Sequence, residues 1–401
     1  MLKKLAQRLA VVLVGALPLL AQPAPAAAAG AGTLFVISGN QDVLNRYDLV
    51  SGTLTPIVNL AGPNQGQTGT LTVDPIAHLL YGVRTSVTFT PPSSILITNE
   101  VLTINSVTGA FTVSKPVNAP VGQVLFDPSD HALLILGALG IFKVDPVTGG
   151  TTPLTHLDRE LNSALTSMAL DTSTHTLYVN AELFLPDGNF TSNILTIDSH
   201  SGALMSNVPL GQQIGVVGFD SSSGVLLTTG GFPPRLSQVD PVAGTVTPIA
   251  SVTDDPDVQL GFAMSVDSSS HTVFLEANTF LCCWTSQSQV VSMDASGTPT
   301  FGPLVNDNLS SLQWEPDVTV TPDGIKADVV SGGITKAGVA KTLLADLSDA
   351  QAARERGQCK TAANGYQQFI NDVNAQTGKS ISVATASRLV SEAQFLIANC
   401  P

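Results

Sequence analysis

Residues 127–137 read DPSDHALLILG, and the phrase returns along the chain as DPIAHLLYG at 74–82, DTSTHTLYV at 171–179, DSSSGVLLT at 220–228 and DSSSHTVFL at 267–275. Each copy follows a short apolar run ending in Asp: TLTVD, QVLFD, SMALD, VVGFD and AMSVD. A second apolar run comes next, then a third, as in IFKVDPVTG at 141–149 and LSQVDPVAG at 236–244; a fourth, such as TVTPIA at 245–250, closes the unit. Period-two alternation bounded by Asp, Pro, Ser and Gly marks short antiparallel strands joined by tight turns. Asp74, Asp127, Asp171, Asp220 and Asp267 recur every 44–53 residues. Four strands at that period make a propeller blade, which buries both faces only by stacking on neighbours around an axis.

Counting the units gives six. The second-to-fourth-strand portion starts near Thr33, Leu79, Leu133, Leu177, Val225 and Val273, but no first strand precedes Thr33. The spare candidate is DVTVTPDG at 317–324, so a strand near 317–321 is expected to complete the N-terminal blade and close the ring, leaving no free edge. The fold class read from the sequence is therefore an all-β six-bladed β-propeller over residues 30–324. A linker at 325–335 and a small all-α module of three helices at 336–401 follow it.

The first 29 residues look like an address. Lys3, Lys4 and Arg8 precede an apolar stretch from Leu9 to Leu20 and an Ala-rich tail near Ala27, the pattern of a cleaved signal peptide. The expected location is secreted or periplasmic, in a bacterium, with no membrane span. Removing this leader changes the net charge from −14 to −17. So acidic a surface repels nucleic acid and anionic lipid.

The repeat pattern VD(P/S)xxHxLYV…ILxIDxxTGxxTPI resembles the YVTN/NHL-type β-propellers of bacterial secreted proteins, over about residues 33–324. That resemblance implies a blade, and proteins with such blades include binders, lyases and lactone hydrolases; fold alone carries no function. His78, His131, His175 and His271 share one slot, with Gly224 as its fifth occupant. Equivalent slots in different blades lie too far apart to ligate one ion, and glycine as the substitute predicts a turn position with positive φ.

The repeating hairpins belong to one face, so the long connections, including 83–94, 181–193, 250–261 and 276–288, are expected as irregular loops on the other. Glu182 and Glu276 are read as equivalent, each just past a second strand, with Arg84 in the same slot. Arg235 lies in GGFPPRL, and Asp254, Asp255 and Asp257 form the densest acidic cluster. No cofactor is read from the sequence; calcium is the ion that Glu182, Glu276 and Asp255 would hold in the loops. The axial strand starts TGTL, VGQV, ALTS, IGVV and LGFA contain no carboxylate, which argues against an axial metal enzyme.

Four cysteines in an exported chain imply disulfides. The simplest pairing joins Cys359 to Cys400 and leaves Cys282 and Cys283 as a vicinal bridge or free thiols. In the alternative, one of that pair bonds a tail cysteine. A vicinal bridge beside Trp284 would form a flat surface for ligand stacking, and a top face bearing Trp284 and Trp314 would suit protein or glycan binding. In the tail, Leu343 and Leu347, Tyr366, Phe369 and Val373, then Leu389 and Leu396 fall at helical spacing, with Gly378 as a stop and Ser380 or Ser382 as an N-cap. FINDVNAQTGKSIS…A..LVSEAQFLI resembles the FIMAH module, over about residues 330–400.

These readings define a secreted, non-catalytic binding or scaffold protein that uses the long-loop face for an unidentified protein or glycan. The first rival is a lyase or metal-dependent lactone hydrolase using Glu182, Glu276 or the Asp254–Asp257 cluster on that face. The second is a structural or adhesive surface protein.

Overall fold

A computed structural model describes residues 32–400, apart from 39–42, 63–66, 91–93, 118–120, 138–139, 157–162, 186–187, 232, 256, 281–285, 295, 306, 318–319 and 332–333. The leader, Cys282, Cys283 and Trp284 lie outside the described residues.

Six four-stranded antiparallel sheets form the ring. Blade 1 holds β1 (Gly32–Ser38), β2 (Val43–Tyr47) and β3 (Leu54–Asn59); blade 2 holds β4 (Gln67–Asp74), β5 (Leu79–Thr90), β6 (Ser94–Asn105) and β7 (Phe111–Val113). Blade 3 runs through β8 (Val124–Asp127), β9 (Ala132–Gly137), β10 (Gly140–Val144) and β11 (Thr151–His156). Blade 4 comprises β12 (Ser163–Asp171), β13 (Thr176–Phe184), β14 (Phe190–Asp198) and β15 (Leu204–Pro209). In blade 5 come β16 (Val217–Asp220), β17 (Val225–Gly230), β18 (Arg235–Asp240) and β19 (Thr245–Ser251). Blade 6 has β20 (Val258–Asp267), β21 (Thr272–Phe280), β22 (Ser286–Met293) and β23 (Pro299–Phe301).

The ring closes as expected, but with a different strand. β24 (Leu309–Pro316) pairs with β1 as the innermost strand of blade 1, in the register Leu34↔Trp314 and Val36↔Leu312. The closing position expected of a strand near 317–321 is thus taken by β24, and of that expected strand residues 318–319 lie outside the described residues. LSSLQWEP lacks the Asp-bounded turn that identifies the other inner strands, so the sequence reads it as loop. Leu309, Leu312 and Trp314 are nonetheless buried, with the Trp314 ring stacked 5.1 Å from Phe274 of blade 6.

The turns on what we term the lower face explain the repeat. His78, His131, His175 and His271 have φ of 53°, 46°, 55° and 55°, and Gly224 has 70°, the left-handed turn conformation expected of this slot. The preceding Asp carboxylates accept backbone N–H bonds two and three residues on, as Asp74 Oδ1 does from Ile76 and Ala77. The histidines also reach across blades: His271 Nδ1 lies 2.7 Å from Asp220 and His78 Nδ1 lies 2.9 Å from Glu315. Burial of Asp220 opposes ionisation, but hydrogen bonds from His271, Ser223 and Ser222 outweigh it and hold the carboxyl at about 2.

Nearer the axis, side chains on or next to the inner strands tie five of the six neighbouring blade pairs together. Leu71 N donates to Ser311, Phe126 N to Thr72, Met168 N to Gln123, Val217 N to Ser167 and Trp314 N to Ser265. Inner strands of adjacent blades do not pair as a sheet, so these bonds satisfy backbone donors that would otherwise be buried alone.

The three helices expected over 336–401 are α2 (Ala337–Glu355), α3 (Cys359–Gln376) and α4 (Val383–Ala398), and among the described residues a further helix, α1 (Pro322–Ser331), precedes them. α1 occupies most of the expected linker. Thr321 caps it through Gly324 N, Pro322 takes the first helical position, and Ile325 and Val329 bury one face. Two buried positions in ten residues are too weak a period to mark a helix. Ser382 caps α4 by accepting from Thr385 N, Gly378 ends α3 at φ 73°, and Cys359 is bonded to Cys400. Leu343, Leu347, Tyr366, Phe369 and Leu389 are fully buried in one core. Phe395 of α4 stacks 5.5 Å from His78 on the lower face. None of the described helices is long and apolar enough to cross a membrane.

Candidate binding face at the upper mouth of the propeller

On the opposite face the blades are of two kinds. In blades 1, 3 and 5 the second and third strands turn back at Ser38↔Val43, Gly137↔Gly140 and Gly230↔Arg235. In blades 2, 4 and 6 the pairing runs on to Thr90↔Ser94, Phe184↔Phe190 and Phe280↔Ser286. Segments 83–94, 181–193 and 276–288, expected as irregular loops, are therefore largely extended hairpins. Three arms alternate around the ring. They present Val87, Leu96 and Ile97 from blade 2, and Phe184 and Phe190 from blade 4, all exposed, with the two phenylalanine rings edge-on at 5.1 Å.

In these three blades the inner strand shifts register between Thr68 and Leu71, Leu165 and Ser167, and Leu260 and Met264, and blade 1, which has no arm, shifts likewise at Ser310 of β24. A bulge re-aims the residue it sets free. Here the freed residues include Thr70, Thr166 and Phe262, and all three line one cavity of about 360 Å³ at the upper end of the axis. Gln123, Ser167 and Glu182 complete its polar lining. Phe262 stands at the lip with 90% of its surface exposed. Below, the axial channel is walled by inner strands of all six blades, with Gln123, Met168 and Gln313 among its lining.

The charged residues singled out from sequence do not share a slot. Glu276, Arg84 and Glu182 stand five, six and seven residues beyond the turn histidine of their blades, inside β21, β5 and β13. Because side chains alternate along a strand, Arg84 occupies a position of opposite parity to the two glutamates. Arg84 is buried: its guanidinium bonds Glu100 at 2.7 and 3.2 Å and the Leu60 carbonyl at 3.3 Å, and a Cβ at Gly62 would collide with it. It clamps the chain leaving blade 1. Arg235 is exposed at the start of β18.

Glu276 is 3% exposed and takes one hydrogen bond, 2.8 Å from Asn278 Nδ2; Asn278 Oδ1 in turn accepts from Ser288. Its carboxylate presses on Gly261, where any Cβ would collide with it, one residue from Phe262. Burial pushes the carboxyl up to about 7, and the Asn278 bond offsets that only in part. Glu182 is half-buried at the mouth, with Oε1 3.3 Å from Gln213 Nε2.

Asp254, Asp255 and Asp257 are exposed and turned to local work: Ser251 donates to Asp254, and Asp257 N to Asp255. Among the described residues no group of three or more His, Cys, Asp or Glu converges as a metal set. Trp314 is buried between blades 1 and 6, so it does not bear on the upper face. Sequence reasoning missed Phe262, Thr70 and Thr166, because a bulge leaves no mark in a hydrophobic period.

Fold and face together define a six-bladed β-propeller with a three-armed upper surface and an appended helical domain. That helical domain is a FIMAH domain, whose family model matches residues 325–398. The propeller is similar in fold to TolB from Acinetobacter baumannii, at 13% identity over 71% of this chain and 67% of that one, with a TM-score of 0.50. It is similar also to a chain of the nidogen/laminin complex, at 14% identity over 72% of this chain and all of that one, with a TM-score of 0.51. No curated protein matches the sequence.

Proposed function

We propose that this is an exported bacterial binding protein, built from YVTN/NHL-type blades, whose upper propeller face grips a partner protein without catalysing a reaction. The observation that carries this reading is the set of three arms that alternate blades raise around the mouth cavity. Blades 1, 3 and 5 show that a blade in this ring needs no arm. The arms expose large apolar side chains around a cavity, the signature of a surface that another molecule covers. A structural neighbour of the same fold is named for a protein complex, which is in keeping with this role. Export is supported by the leader-like N-terminus and by the Cys359–Cys400 bond, which fits an oxidising compartment. The enzyme reading asks Glu182, Glu276 or the Asp254–Asp257 cluster to do chemistry; Glu276 is walled off by Gly261, and the aspartates are engaged in their own loop, which leaves that reading Glu182 alone.

The test is photo-crosslinking from the arms in the producing cell. A chain carrying Leu96→Ser, Ile97→Ser, Phe184→Ser and Phe190→Ser is expected to lose a defined adduct that lower-face substitutions retain. The same adducts on both chains would refute the reading. N-terminal sequencing of the mature protein checks export independently: an intact Met1 would exclude cleavage of the leader.

A further inference from the structure

Resting on that reading of the upper face, we propose that the mouth cavity is the seat of one basic side chain, a lysine or arginine presented by the bound partner. The argument is one of elimination among the polar groups that line it. Thr70 Oγ1 accepts from Val124 N, Ser167 Oγ from Val217 N and Gln123 Oε1 from Met168 N, while Thr166 Oγ1 donates to the Asn180 carbonyl. Each of these oxygens makes a bond that holds neighbouring strands or blades together, and all four groups are neutral. Glu182 is the exception: Oε1 has a long bond from Gln213, and Oε2 has no hydrogen-bond partner among the described residues.

Glu182 is also the single ionisable group in the lining. An anion would meet a carboxylate there with no counter-charge in the lining, inside a chain of net charge −14. Calcium takes six to eight oxygen ligands, and one carboxylate among neutral, engaged groups falls far short of that set. A long cationic side chain fits both features of the mouth. Its methylenes or guanidinium plane lie on the exposed Phe262 ring, and its head reaches Glu182. The arms around the mouth then hold the flanking residues of the same segment.

The test is isothermal titration of the full mature chain with three blocked peptides, acetyl-Gly-Leu-Xaa-Leu-Gly-amide, where Xaa is arginine, its neutral isostere citrulline, or norleucine. The arginine peptide is expected to bind about 10-fold tighter than the citrulline peptide at low salt, in line with one charge-assisted hydrogen bond. Glu182→Gln should abolish that preference while leaving the fold intact, and salt should shrink it. Equal affinities for arginine and citrulline, a preference that survives Glu182→Gln, or no saturable binding below about 5 mM would each overturn the proposal. Acetyl-arginine-amide matching the arginine peptide would overturn the docked-segment part, because a free cation would then suffice. If all three peptides bind alike and Phe184→Ser with Phe190→Ser weakens them, the upper face still binds partners and only the basic occupant fails.

Discussion

Replacing Glu276 by Gln should remove a pH-dependent weakness of the propeller. Burial pushes the carboxyl from the ordinary glutamate value of 4.5 up to about 7, so the folded state holds its proton more tightly than the unfolded chain does. A raised acid pKa gives stability that is fully present below the unfolded value and is lost as pH rises to the folded one. At about 1.4 kcal/mol per pKa unit, linkage across that window predicts a loss of about 2.5 kcal/mol between pH 5 and pH 8 from this group alone. Gln keeps the shape and the bond from Asn278 but cannot ionise, so the variant should lack this component. For a domain of this size the difference amounts to roughly 5 °C in midpoint.

Tryptophan fluorescence is the right probe. Both tryptophans, Trp284 and Trp314, precede residue 322, so their signal follows the propeller and not the helices. That matters because the helical domain has raised carboxyls of its own. Glu392 is pushed up to about 8 and Asp346 to about 6, by burial and by the neighbouring Asp328 and Asp372 respectively. The shift at Glu276 comes from burial and not from a charge, so the effect should persist in about 0.5 M salt, where the Debye length is only a few ångströms. If wild type and Glu276→Gln lose the same midpoint between pH 5 and pH 8, the carboxyl is not held as the structure places it.

Three further outcomes follow from the same contacts. His175→Gly should be better tolerated than His175→Val by about 1–2 kcal/mol in urea unfolding, because the position has φ 55° and a β-branched residue is strained there. Cys359→Ser closes no loop over a sequence separation of 41 and should cost the helical domain about 4 kcal/mol, seen by far-UV circular dichroism with the tryptophan transition unmoved. Leu343→Ala, at a fully buried site on α2, should destabilise the same helical transition by about 2–5 kcal/mol.

The lower face was legible because its turns are made by side chains that the chain must spell out. A left-handed residue at a fixed offset from a capping Asp is written as His or Gly, and the count of such phrases gives the blades. β24 and α1 were hidden for the opposite reason. LSSLQWEP is placed by pairing to β1, some 275 residues upstream, and PDGIKADVVS is held by packing on α2 and α4. Contacts at that range leave no local period. The site suffered most: counting Arg84, Glu182 and Glu276 as one slot ignored single-residue differences in spacing, and in a strand one residue reverses the face.

The alternation of blades is the feature that most needs a cause. In blade 2 the arm runs on past Gln67, the last inner-strand residue paired with it, as a two-stranded ribbon from Ser86↔Thr98 to Thr90↔Ser94, whereas in blades 4 and 6 the inner strand stays paired as far as Leu183 and Thr279; a two-stranded ribbon alone is marginal in water. In blade 2 it pairs Val87 with Ile97 and Thr88 with Leu96, with the apolar members of both pairs exposed. Ring closure does not require this, since blades 3 and 5 turn back at Gly137↔Gly140 and Gly230↔Arg235 and still bury their faces. Exposed apolar ribbons are an aggregation hazard when left bare and a source of affinity when covered. The bulge at the root of each arm connects the two halves of the design. The register shift that frees Thr70, Thr166 or Phe262 for the mouth lies in the strand against which the same blade's arm begins to rise. A partner covering the arms therefore lies over the axis, where Glu182 and Phe262 meet it.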